Sequence, residues 1–217
     1  LDATKSNNTV NYNGSSQNIK DPVNSTYHHL EMSGSGTVQQ QNNLTVNGNL
    51  TINSGSFNSN SHQITILGNW TNNGTFEEEN GTVIFNGAGN QSINSTTTET
   101  FNDLELLSGG DLTLQSDVTI SNTLTLNTNT IYTGVNKLIL GTNCTSPGSL
   151  NYTSGTIAGA FERYIPSSPS STFLFPLGNE EYYRPAEVTF NNIFSCGSIV
   201  GEFVNDPPGS SGLPLDD

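Results

Sequence analysis

The stretch Asn43-Leu44-Thr45-Val46-Asn47-Gly48-Asn49-Leu50-Thr51-Ile52-Asn53 decides the fold. It holds two three-residue strands, Leu44-Thr45-Val46 and Leu50-Thr51-Ile52. Alternate residues of a strand point to opposite sides, so Leu, Val and Ile face one way and Thr the other. The Asn47-Gly48 pair between them turns the chain. A hairpin would also explain that pair. It would not explain why matching triplets recur about every 20 residues. They start at Val10, Leu30 and Leu50, and again at Leu44, Ile64, Val83, Leu104 and Leu124. A fixed period near twenty with strand-type triplets marks stacked coils, each of which buries its apolar side against its neighbours.

A longer period lies over the short one. Leu30-Glu31-Met32 returns as Leu104-Glu105-Leu106, an offset of 74 (104 − 30). Leu44-Thr45-Val46 returns as Val118-Thr119-Ile120, and Leu50-Thr51-Ile52 as Leu124-Thr125-Leu126. Thr9-Val10-Asn11-Tyr12-Asn13-Gly14 likewise matches Thr82-Val83-Ile84-Phe85-Asn86-Gly87, with Gln17-Asn18-Ile19 and Gln91-Ser92-Ile93 following. The expected unit is nearly four coils. The array opens on a full unit with no capping segment, which predicts a natural chain that begins further upstream.

The fold predicted is all-β: a right-handed parallel β-helix over residues 1–156, then a small antiparallel β module or cap over residues 157–217. The boundary follows composition. Seven of the nine prolines and both arginines, Arg163 and Arg184, fall in the second part. Strand-like runs there are Ala160–Ile165, Thr172–Phe175, Ala186–Phe190 and Ser198–Phe203, with a Pro/Gly-rich tail at Asp206–Gly212. Tyr182-Tyr183-Arg184 is expected to hold this module against the rod.

Composition narrows function more than it defines it. Only 31% of the 217 residues are hydrophobic and 11% charged, with a net charge of −14 from 5 basic and 19 acidic residues. Nucleic acid needs clustered Lys and Arg, so it is excluded as a partner; no apolar run is long enough for membrane insertion. An acidic, Asn- and Thr-rich chain fits the outside of a cell. Cys144 and Cys196 either pair there or stand as two free thiols.

The segments Gly81–Ile93 and Phe101–Leu106, with the triplets at Leu112, Val118 and Leu124, resemble the β-helix repeats of large cell-surface proteins of Bacteroidota. Gly155–Glu187 is similar to the segment that follows those repeats, through Gly159-x-Phe161-x-Arg163, Phe175-Pro176-Leu177-Gly178 and Tyr183-Arg184-Pro185. The resemblance implies a secreted, adhesin-like surface protein exported by the type IX secretion system. The sorting domain of such cargo is not visible in the chain.

Catalysis on a β-helix calls for grouped carboxylates with a nearby cation. The basic residues of the helical part, Lys5, Lys20 and Lys137, sit in no acidic stretch, so the expectation is a structural or adhesive rod that is not an enzyme. The candidate ligands for a weak Ca²⁺ site are Asp103, Glu105 and Asp111, with Asp117 nearby; a solvated acidic face is the plainer reading. Glu77-Glu78-Glu79 reads as a charged loop, and His28-His29 would face opposite sides of a strand. No other cofactor is expected. The candidate ligand surface is threonine: Thr45 and Thr65 stand one rung apart, as do Thr51 and Thr71. A flat Thr face is what an ice-binding solenoid uses, although Thr119 would stack on Ile139. Trp70, Tyr12 and Tyr27 either form a sugar-stacking platform or fill the interior. Surface glycans and other copies of the rod are the expected partners.

Overall fold

The computed structural model describes residues 3–107, 109–168 and 170–205. The tail expected at Asp206–Gly212 lies outside them. Among the described residues there is no α-helix, and none long and apolar enough to cross a membrane; a single 3-10 turn spans Val23–Ser25.

Each coil has three sides, and like sides stack in parallel. Face A is built from Thr9–Tyr12, His29–Met32, Leu50–Ile52, Trp70–Asn72, Gln91–Ser95 and Leu112–Leu114. Face B begins with Gln17–Asn18, Thr37–Gln39, Ser56–Asn58 and Thr75–Glu77. Face C begins with Thr26–Tyr27, Leu44–Val46, Ile64–Ile66 and Thr82–Phe85. Beyond these, the corners tighten until one strand serves two faces. Glu99–Leu106 and Val118–Leu126 run from B to C, Thr130–Leu140 and Thr156–Ile165 run from A to B, and Ser149–Tyr152 closes face C. Among the described residues the result is seven full coils and two sides of an eighth.

Both triplet series read from the sequence are single columns. Val10, Leu30 and Leu50 are successive partners on face A, and Leu44, Ile64, Val83, Leu104 and Leu124 on face C. They point inward with Met32, Val46, Ile66, Phe85 and Leu106, and all but the partly buried Val10 are buried. Truncating one of these to Ala costs ~2–5 kcal/mol, because stacked neighbours cannot collapse into the void. Trp70, Tyr27 and Tyr12 also lie inside, so the interior reading holds for them. Trp70 packs edge-on to Phe76 and Phe101, with ring centroids 4.8 and 5.2 Å apart.

The long period is nearly four coils, as read, and falls short of four by one side: from Thr9–Tyr12 to its match Thr82–Phe85 the chain advances eleven strands, or three and two-thirds coils. Each element of the first copy therefore reappears one face round: Leu30 on face A as Leu104 on face C, Leu44 on face C as Val118 on face B.

Ala3 is fully buried, and its carbonyl accepts the N–H of His28 at 2.8 Å. At the other end, parallel pairing continues from Leu140 to Arg163, past the compositional boundary at 156/157. The same strand then pairs antiparallel with Gly197–Gly201, and Ser171–Phe175 pairs antiparallel with Ala186–Phe190.

Candidate functional site

The corners of a coil lose the sheet ladder, so their backbone N–H groups need other acceptors. Asn and Asp side chains supply them. Entering face A, Asn49 Oδ1 accepts the N–H of Asn69 at 2.9 Å and Asn69 Oδ1 that of Ser92 at 2.9 Å. Asn90 Oδ1 accepts from Asp111 N at 3.1 Å, and Asp111 Oδ1 from Thr130 N at 2.8 Å. Asp117 does the same for Lys137 at 2.8 Å. Gly68 lets the coils approach here: a Cβ on it would lie 2.5 Å from the carbonyl carbon of Gly48.

This ladder separates the proposed calcium ligands. Asp103 and Glu105 point outward from face C, whereas Asp111 is a rung at the corner of face A. Asp103 Oδ2 accepts Asn102 Nδ2 at 3.0 Å and its Oδ1 accepts Asn122 Nδ2 at 2.8 Å; Glu105 Oε1 accepts Asn127 Nδ2 at 3.0 Å. Among the described residues, no three His, Cys, Asp or Glu side chains converge to hold a metal.

The threonines stack as read, but briefly. On face C the outward column runs Thr26, Thr45, Thr65, then Ile84 and Glu105. On face A, Thr51 and Thr71 lie between Glu31 and Asn94. Thr119 does pair with Ile139, on face B. His29 turns its Nδ1 to the N–H of Asn49, 2.9 Å away, and burial with His28 beside it lowers its pKa from the ordinary 6.5.

Two features were not legible beforehand. The first is a groove of about 650 Å³ along the corner between faces B and C. Its floor crosses Asn80, Asn102, Asp103 and Asn122, and one wall is the loop 141–148. Thr145 N and Ser146 N both bond Asn143 Oδ1, at 2.8 and 3.1 Å, and Cys144 is bonded to Cys196, 5.7 Å away between Cα atoms. The two cysteines are thus paired, and the disulfide ties this wall to the terminal module. The only prior signal was the Cys pair and the Pro147-Gly148 turn.

The second feature is a break in face B. Thr75–Glu77 is the edge of a four-stranded stack, and Glu99–Leu106 is paired there only on its far side. Glu99 lies in the break, 3% exposed beside a crevice of about 230 Å³. Its carboxyl accepts Trp70 Nε1 at 3.1 Å and Asn72 Nδ2 at 3.2 Å. Burial raises its pKa above the ordinary 4.5, against the pull of those hydrogen bonds. The step from Trp70 to its partner Ile93 is 23 residues instead of 20, the one trace of this break in the sequence.

The module seals the rod's last coil. Arg163 takes the inward place held by Phe101, Ile120 and Leu140 in the coils before it. Its Nη1 donates to the carbonyl of Leu174 at 2.7 Å, its guanidinium lies over Phe173 and Phe175, and burial pulls its pKa down to about 10. Tyr183 stacks on Tyr152 at 6.4 Å, so part of the Tyr-Tyr-Arg segment does hold module to rod. No family model, curated protein or solved structure matches this chain.

Proposed function

We propose that this chain is a stiff structural or adhesive rod on the outside of a bacterial cell, without catalytic activity. One observation carries the reading: the polar side chains that a reaction would need are bonded into the rod itself. Asp111 and Asp117 are corner rungs, Asp103 and Glu105 are held by Asn side chains, and Glu99 is buried among hydrogen-bond donors. Coils fixed on three sides resist bending, which suits a stalk. The resemblance of the repeats to Bacteroidota surface proteins supports the location. Antibody against the purified chain is expected to label intact cells of the source bacterium; label that appears only after permeabilisation overturns the reading. Depolymerisation of an acidic polysaccharide that Asp103→Asn abolishes would overturn the absence of catalysis.

The second reading, a carbohydrate-binding or polysaccharide-degrading β-helix, is favoured by the polar groove at the B–C corner. The third, ice binding, draws on Thr45, Thr65, Thr51 and Thr71. Ile84 and Glu31 interrupt those columns, and thermal hysteresis of the purified protein tests it directly.

A further inference from the structure

We infer that the B–C groove binds an unbranched, neutral glycan chain laid along the rod, an inference that rests on the adhesive reading above. The chemistry of the lining selects the ligand. Amide, hydroxyl and carboxylate groups come from Asn80, Asn102, Asp103, Ser121, Asn122 and Thr145. Such planar amides and carboxylates suit vicinal sugar hydroxyls, which donate and accept at once. Asp103 is pinned by Asn102 and Asn122, yet each carboxylate oxygen has further lone pairs for hydroxyl donors. Pro147 gives a small apolar surface for the C–H side of a sugar ring.

Other ligands fit worse. No Lys or Arg lines the groove and the chain carries −14, so an anionic polymer is repelled. Pro147 alone gives too little apolar surface to hold a hydrophobic peptide or a lipid. Length agrees with a chain. From Asn80 to Ser149 the groove crosses four coils, three spacings of ~4.8 Å, or about 14 Å, room for about three sugar units. The wall is preorganised: Cys144 is anchored to Cys196, and Thr142 N bonds Ser146 O at 2.9 Å across the loop. A fixed wall loses little entropy on binding.

The test is an array of neutral and acidic oligosaccharides probed with the whole chain and three variants. The wild-type chain is expected to retain at least one neutral linear glycan. Asp103→Ala and Thr145→Tyr are each expected to weaken that binding at least tenfold, and Thr113→Ala, exposed on face A, to leave it unchanged. Thr145→Tyr changes an exposed loop residue, so it fills the groove and leaves the core alone. Retention of no neutral glycan, stronger retention of acidic ones, or full binding by Thr145→Tyr each overturns the inference. Beads coated with wild type and with Thr145→Tyr are then applied to cells. Equal adhesion by both sinks the groove and keeps the adhesive rod; adhesion by neither sinks both.

Discussion

The carboxylate of Asp111 accepts the backbone N–H of Thr130, one coil further on, at 2.8 Å. One of the three candidate calcium ligands is thus an acceptor for a coil corner. What it needs is an oxygen, not a charge. Asp111→Asn is expected to leave stability within ~0.5 kcal/mol of wild type, and Asp111→Ala to lower it by about 1–2 kcal/mol, since the Thr130 N–H loses its acceptor. Urea denaturation of both variants checks this; equal losses would show that the charge matters.

Gly68 stands where two coils meet at the backbone. A Cβ there would lie 2.5 Å from the Gly48 carbonyl carbon and 2.6 Å from Asn49 Oδ1, an oxygen held in place by the N–H of Asn69. Gly68→Ala is expected to cost ~1–3 kcal/mol through overpacking, although Ala would favour folding at an unconstrained site. A raised melting temperature in Gly68→Ala would refute the close approach.

His29 and Glu99 give opposite pH dependences. The pKa of His29 is lowered in the fold, so its contribution is complete above the ordinary 6.5 and fades as pH falls towards the folded value. Protonation also removes the Nδ1 acceptor of Asn49 N–H. In an NMR titration the His29 ring is expected to titrate below 6.5, with faster exchange of the Asn49 amide as it does so. A midpoint at or above 6.5 contradicts this.

For Glu99 the sign reverses. Its pKa is raised by burial, so the neutral acid is the form the fold prefers. Its contribution is complete below the ordinary 4.5 and is lost as pH rises through the folded value. Between about pH 4 and about pH 8, wild type is therefore expected to lose stability relative to Glu99→Gln. A melting-temperature difference that stays flat across that range argues against a carboxyl whose pKa is raised by burial.

The disulfide closes a span of 52 residues. Loop-closure entropy sets an upper figure of roughly 4 kcal/mol for such a span. The double variant Cys144→Ser, Cys196→Ser is expected to melt lower by several degrees and to lose glycan binding with the rigidity of its wall. Unchanged melting on reduction would mean that the module holds to the rod without it.

The solenoid was legible because its determinants are local and repeated. Val10, Leu30 and Leu50 carry the coil spacing in plain view, as do Leu44, Ile64 and Val83. Where the spacing changes, legibility ends. The extra three residues between Trp70 and Ile93 hide the break that Glu99 occupies. Asp103 and Glu105 were correctly read as neighbours, because both lie on one strand. Asp111 was wrongly grouped with them, because nearness in sequence passes over a corner that turns it onto another face. The groove was out of reach: Asn80 and Thr145 meet only through four stacked coils and a disulfide.

The eleven-strand unit bears on how such rods lengthen. Eleven is not a multiple of three, so a duplicated segment cannot lay its outward side chains over those of its parent. It sets them down one flank round, ~18 Å further along the axis. Three successive duplications, about eleven coils, would bring the pattern back to the flank it left. A lineage that extends its rod by copying therefore distributes any stickiness it has acquired in a slow spiral, and a long descendant presents a contact to a neighbour from whichever side that neighbour approaches.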